Sequence, residues 1–170
     1  MVKAGGSIMS LLNGDGNETE IPSDYCFRSL FTSQQGLVSM PDLPATKLKN
    51  QCYALMFSDC TNIVNVSYIS AKENLPSGCF QYMFYNCNNL ISTPEFEIVS
   101  FSSDEVSSNQ CERMFDGCGK LCNLNCKLNA TQLSKNCYLR MFASTLIEKA
   151  PYLPAKNLVS GCYSHMFETC

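Results

Sequence analysis

Cys79-Phe80-Gln81-Tyr82-Met83-Phe84-Tyr85-Asn86-Cys87 decides the fold, because the chain writes this stretch six times. The pattern is Cys-aromatic-x-x-Met-Phe-x-x-Cys. It recurs as Cys52-Tyr53-Ala54-Leu55-Met56-Phe57-Ser58-Asp59-Cys60 and as Cys162-Tyr163-Ser164-His165-Met166-Phe167-Glu168-Thr169-Cys170. Three copies are degenerate. Cys26-Phe27-Arg28-Ser29-Leu30-Phe31 lacks the Met and the second Cys. Another begins at Gln110-Cys111, with Met114-Phe115 and Cys118 on schedule. Cys137-Tyr138-Leu139-Arg140-Met141-Phe142 loses its final Cys. Chance does not produce this six times, and a repeat must be found first because it governs the whole fold.

Within each copy the first Cys, the Met and the second Cys stand at i, i+4 and i+8, with the aromatic and the Phe at i+1 and i+5. This spacing predicts a short amphipathic helix of about two to three turns. Two residues before the first Cys stand Asp24, Asn50, Ser77, Ser108 and Ser160, with Lys135 the exception. Such side chains accept a bond from the free amides of a helix start, so each helix is expected to be capped.

A second pattern follows, apolar-x-x-apolar-Pro-x-apolar, from Leu37, Ile63, Leu90 and Ile147. The copy from Leu121 has Asn125 at the proline position and an extra residue before Leu128. Pro41, Pro94 and Pro151 lack a backbone donor, so these segments read as short strands that end or bulge nearby. Leu43-Pro44-Ala45, Leu128-Asn129-Ala130 and Leu153-Pro154-Ala155 then turn the chain back. Helix, strand and turn at this period predict an α/β repeat solenoid. No copy buries its stripe alone, and stacking completes one core.

The Phe-x-x-Cys-x-x-Leu step at Phe57–Ile63 and Phe84–Leu90 resembles the BspA-type leucine-rich repeat. More closely, the Cys-Tyr-x-x-Met-Phe and Leu-Pro-Ala elements resemble a longer variant in surface and phage-associated proteins of anaerobic gut bacteria. The resemblance covers residues 22–170. It implies a leucine-rich-repeat-like right-handed superhelix, short helices on one side and short parallel strands on the other, with roles in adhesion or partner binding. It also implies a cell-surface or secreted location. Residues 1–21 read as an N-terminal lead-in or cap. Residues 22–170 read as about six units with the last incomplete, as expected of a fragment of a longer repeat protein.

Composition narrows the function. The chain has 170 residues, 45% hydrophobic and 16% charged, with net charge −3. Its Lys and Arg are scattered, which gives no basic patch for nucleic acid and no polybasic membrane anchor. No stretch approaches the roughly 20 apolar residues of a membrane helix. Met1–Leu12 lacks the continuous apolar core of a secretory signal. The chain fits either a cytosolic protein or one whose export signal lay upstream.

Twelve cysteines invite a disulfide reading, yet spacing opposes it. Cys52 and Cys60 would lie about 12 Å apart along one helix, and equivalent cysteines on neighbouring helices about 8–10 Å apart. A disulfide wants Cα atoms within about 7 Å. Free buried thiols acting as small hydrophobes are expected, which fits a reducing or anoxic setting. Cys118-x3-Cys122-x3-Cys126 is a candidate metal cluster, but Cys122 and Cys126 fall on or beside a strand and are expected to face different ways. No metal or cofactor is predicted. His165, the single His, sits where other copies hold Ser29, Leu55, Tyr82, Arg113 and Arg140, so it reads as a surface residue. No phosphate loop, nucleophile elbow or dinucleotide fingerprint is present. The chain reads as no enzyme.

The variable positions point to function. On the strands, the residues two and five places after the leading apolar residue should face away from the core: Ser39 and Asp42, Asn65 and Tyr68, Ser92 and Glu95, Asn123 and Cys126, Lys149 and Tyr152. Asp42, Tyr68, Glu95, Lys149 and Tyr152 are the candidate binding residues, because Tyr offers contact area with a polar tip. The expectation is a non-catalytic binding or adhesion module meeting a protein or glycan through the sheet face. The alternative is an architectural spacer in a larger cell-surface or phage-associated protein.

Overall fold

The computed structural model describes residues 1–104 and 106–170. Among these the expected helices do not form. The one helix, α1, is Ser10–Asn13, four residues long and outside every copy of the motif. Strands are limited to β1 (Val2–Lys3), β2 (Leu37–Ser39), β3 (Phe96–Ile98) and β4 (Cys126–Leu128). They make two small parallel sheets, β1-β2 and β3-β4. The leucine-rich-repeat-like superhelix is therefore overturned, and the helix-and-strand repeat solenoid falls with it.

The stretches read as helices are ribbons of overlapping turns. In residues 50–60, the amides of Cys52, Ala54, Met56, Ser58 and Cys60 each donate to the carbonyl three residues back. The alternate amides, of Gln51, Tyr53, Leu55, Phe57 and Asp59, donate instead to Ser77, Cys79, Gln81, Met83 and Tyr85 of the next copy. Carbonyls divide in the same way. Those of Asn50, Cys52, Ala54, Met56 and Ser58 accept from the preceding copy. Every interior backbone group thus has a partner, as burial demands.

The four-residue period explains the choice. On a helix of 3.6 residues per turn, positions i, i+4 and i+8 drift by about 40° at each step. In the ribbon they do not drift, because the backbone itself repeats every four residues. Positive φ falls at Gln51, Leu55 and Asp59, and in the next copy at Gly78, Tyr82 and Asn86. Turns with positive φ at their third residue, as in type II, therefore alternate with turns that lack it. A left-handed residue costs roughly 1–2 kcal/mol. A helix would avoid that cost but would spend each amide on its own i−4 carbonyl, leaving none for a neighbour.

Six ribbons lie parallel and in register, joined by five backbone bonds at each of their junctions. The capping residues were misread for the same reason. Asp24 accepts from the Asn50 amide at 3.0 Å, and Asn50 from the Ser77 amide at 3.1 Å. They bond across to the next ribbon.

The core follows the columns of the motif. Phe31, Phe57, Phe84, Phe115, Phe142 and Phe167 form an unbroken stack with ring centroids 5.3–5.9 Å apart. The other aromatic column runs Phe27–Tyr53–Phe80, is interrupted at Cys111, and resumes as Tyr138–Tyr163. Phe101 packs edge-on against Tyr138 beside the interruption, with centroids 5.4 Å apart. The hydroxyls of Tyr53 and Tyr138 are buried without a hydrogen-bond partner among the described residues. Burial pushes both phenols well above their ordinary range.

All twelve cysteines are free. Those of the second column have a definite role. Cys60, Cys87 and Cys118 donate to the carbonyls of Phe31, Phe57 and Phe84 of the preceding copy, at 2.9, 3.2 and 3.0 Å. A thiol fits because it is small, apolar and still a weak donor. Cys170 makes the same bond to the Phe142 carbonyl of the fifth copy at 3.1 Å, and that carbonyl also accepts from the Thr145 hydroxyl of its own copy at 2.8 Å.

At the N-terminus, β1 pairs with β2, Ile8 donates to the Asp42 carbonyl, and Ile21 to that of Lys47. Ile8, Met9 and Ile21 join the hydrophobic core. No helix is long and apolar enough to cross a membrane, among the described residues.

Candidate binding face

The face opposite the ribbons is built from the proline-marked segments. They extend only briefly, so isolated parallel bridges carry most of their pairing: Ser7 with Asp42, Ser39 with Asn65, Tyr68 with Glu95, Ser92 with Asn123. The outward columns align as the sequence suggests as far as Glu95; the fourth copy departs from them, and the segment holding Lys149 and Tyr152 has no bridge to it among the described residues. Ser92 pairs with Asn123, but Phe96 pairs with Cys126. One residue has slipped between the two points, and such a slip turns side chains to the opposite face. Cys126, expected outside, is buried, and Asn125 takes the outward place beside Glu95.

Among the depressions on this face, two adjoin. A shallow one of about 380 Å³ is lined by Tyr68, Lys72, Glu95 and Glu97 together with Asn125 and Lys127. A larger groove of about 990 Å³ lies between residues 122–129 and 148–152. Asn125 and Lys127 line both and join them. Tyr68 and Glu95 thus meet in one depression, and Lys149 and Tyr152 in the other. Tyr152 is 76% exposed and Tyr68 44%. Asp42 stands apart, half-buried, accepting a hydrogen bond from the Ser67 hydroxyl.

The floor of the large groove is β4. On one side it pairs with β3; on the other it has no strand partner among the described residues. Here the ladder between the fourth and fifth copies thins out. Leu146 donates to Leu121 at 2.9 Å, and no backbone bond then joins residues 147–158 to β4. Those residues swing clear and form the far wall.

Sequence reasoning missed Asn125, Lys127 and Glu97. Asn125 carried a signal, standing where three other copies hold Pro. It regains the donor that Pro lacks, and its amide bonds Thr93 Oγ1 at 2.8 Å. The Asn129 side chain donates to Glu97 at 2.7 Å.

The tempting chemistry is dispersed. Cys118 faces the core, Cys122 is exposed and Cys126 is buried. No group of three or more potential metal ligands comes together among the described residues. Burial raises the Cys126 thiol to about 11 and those of Cys52 and Cys137 to about 12. His165 is exposed, in the left-handed conformation, 3.5 Å from Glu168.

No family model, curated protein or solved structure matches this chain. The resemblance to BspA-type repeats rests on the sequence motif alone.

Proposed function

We propose that the chain is a non-catalytic binding module that holds an extended segment of a partner protein in the groove between β4 and Glu148–Tyr152. The carrying observation is the unpaired edge of β4 at the floor of that groove. A strand edge offers alternating amides and carbonyls to an incoming strand, and side pockets then supply selectivity. Tyr152 on the wall gives an anchor of the kind that dominates interface energetics. Lys127 and Lys149 favour a segment carrying acidic side chains, while Glu148 limits that preference.

Displayed libraries of short random peptides, panned against the chain, test this. Selected peptides should alternate apolar and polar residues. Tyr152→Ala should weaken their binding at least tenfold, about 1.4 kcal/mol, with the thermal melt unchanged. Equal binding to Tyr152→Ala, or retention of glycans instead of peptides, would refute the assignment.

A further inference from the structure

Tyr68 lines two depressions in the interior of the segment face. One is the shallow depression of about 380 Å³ that Lys72, Glu97 and Lys127 help to line. The other, of about 470 Å³, is lined in part by Asn65, Ser67 and Ser92. Glu95 and Asn125 line both of them with Tyr68. Each volume falls within the range of a small-ligand site, about 300–1,000 Å³.

The backbone beneath is already paired. Tyr68 bridges to Glu95, Leu43 bridges to Ile69, and β3 pairs with β4. The Ile69 amide donates to the Glu95 carbonyl and the Ser70 amide to that of Leu43. An added strand therefore finds no open ladder here, unlike at the outer edge of β4, and any occupant must be held by side chains.

Those side chains are uncommitted. At the neighbouring corner, polar residues of successive copies bond one another: Asn89 donates to Asn62 at 3.2 Å and Lys120 to Asn89 at 2.7 Å. Around Tyr68 only the side chains of Ser67, Thr93, Glu97 and Asn125 bond a neighbour. Those of Asn65, Tyr68, Lys72, Ser92, Glu95 and Lys127 make no hydrogen bond or ion pair among the described residues. Two carboxylates, Glu95 and Glu97, are matched by two ammonium groups, Lys72 and Lys127, so no net charge selects an ion.

We propose that Tyr68 is the platform of a site for a neutral glycan chain. The faces of a sugar ring carry polarised C–H groups, and the negative face of an aromatic ring attracts them. Each sugar hydroxyl both donates and accepts, which suits a site that mixes carboxylates, ammonium groups and amides. The two depressions take the units before and after the stacked sugar, so the ligand is a chain and not a monosaccharide.

Native electrophoresis through gels containing neutral glucans, mannan, xylan or galactan tests the proposal. At least one polymer should retard the chain, and its short oligomers should compete better than its monosaccharide. Tyr68→Ala should weaken that binding about tenfold, and Tyr68→Phe by less than about threefold, with thermal melts unchanged. Should Tyr68→Ala melt early, Glu95→Ala decides: binding should weaken clearly, and unaltered binding counts against the site. Peptides selected on the β4 groove should bind Tyr68→Ala as they bind the parent chain, so either reading can fail alone. No retardation by any of these polymers, or equal retardation of a folded Tyr68→Ala, would overturn the proposal. So would stronger retardation by a polyanion such as polygalacturonate than by every neutral polymer.

Discussion

Tyr53→Phe should stabilise the protein. The Tyr53 ring is fully buried between Phe27 and Phe80, with centroids at 5.9 and 6.2 Å. Its hydroxyl has no partner among the described residues, so the substitution breaks no hydrogen bond there. Phe already fills the same column at 27 and 80, so the ring needs no new space. Burying a hydroxyl without a partner costs about 1–3 kcal/mol in protein mutational data. Removing it should therefore return at least about 1 kcal/mol. For a chain of this size that corresponds to a rise in Tm of about 2–4 °C. Tyr138→Phe should behave alike, and the double variant should add, since the two sites share no partner. Tyr163→Phe, at a half-buried position, should change little. The assay is thermal and urea denaturation under reducing conditions, with the m-value compared across variants to show that the unfolding transition is unaltered. A loss of stability in Tyr53→Phe would show that the hydroxyl has a partner after all and would refute the reasoning.

Alkali should weaken the fold through its thiols. Burial raises Cys52 and Cys137 to about 12 and Cys126 to about 11, and pushes Cys79, Cys87 and Cys111 well above 9. The unfolded chain releases these protons near pH 9 while the folded chain keeps them, so stability is intact below pH 9 and falls as pH rises towards 12. Each such thiol contributes up to about 1.4 kcal/mol per pH unit in that window; urea midpoints at pH 7, 9 and 10.5 should show a flat, then falling, course. Thiol titration of the native chain should find fast reaction at Cys122 and Cys170, the two exposed cysteines, and all twelve only after denaturation; rapid native reaction of most of them would contradict the buried columns. Gly117→Ala should destabilise by about 1–2 kcal/mol, because φ is +78° there and a Cβ would overlap the Asn86 side-chain oxygen. Gly119→Ala, with open space around it, should change stability by less than half as much in the same urea titration.

The columns of the core were legible because they depend only on which residues recur: the Phe stack and the Met positions follow from spacing, whereas the thiols are free although the helix distances that argued for it do not exist in the ribbons. What the spacing concealed was the backbone. An i, i+4, i+8 stripe suits a helix over two turns and a four-residue turn ribbon over any length, and apolarity alone does not separate them. The discriminating signal was weaker and lay elsewhere, in the residues that take positive φ. Asn86, Asn109, Asn136, Gly78, Gly117 and Gly161 are types that tolerate it, but Leu55, Tyr82 and Arg140 share the conformation and hid the pattern. On the face of the proline-marked segments, alternation read Tyr68, Glu95, Lys149 and Tyr152 as pointing outward, and all four are exposed. Asn125 and Lys127 were missed because one slipped residue moved Cys126 inward, and no single segment shows a register shift that exists only between two.

The thiol columns bear on how sulfur is interpreted in any chain. Nucleophilic attack on an oxidant or on another disulfide needs the thiolate, and sulfurs held as neutral donors to Phe carbonyls are withheld from that chemistry. Of its twelve cysteines such a molecule presents chiefly Cys122 and Cys170 to redox reagents, the two that are exposed. Its sulfur content reports the shape of an interior and says little about the electron poise of its surroundings.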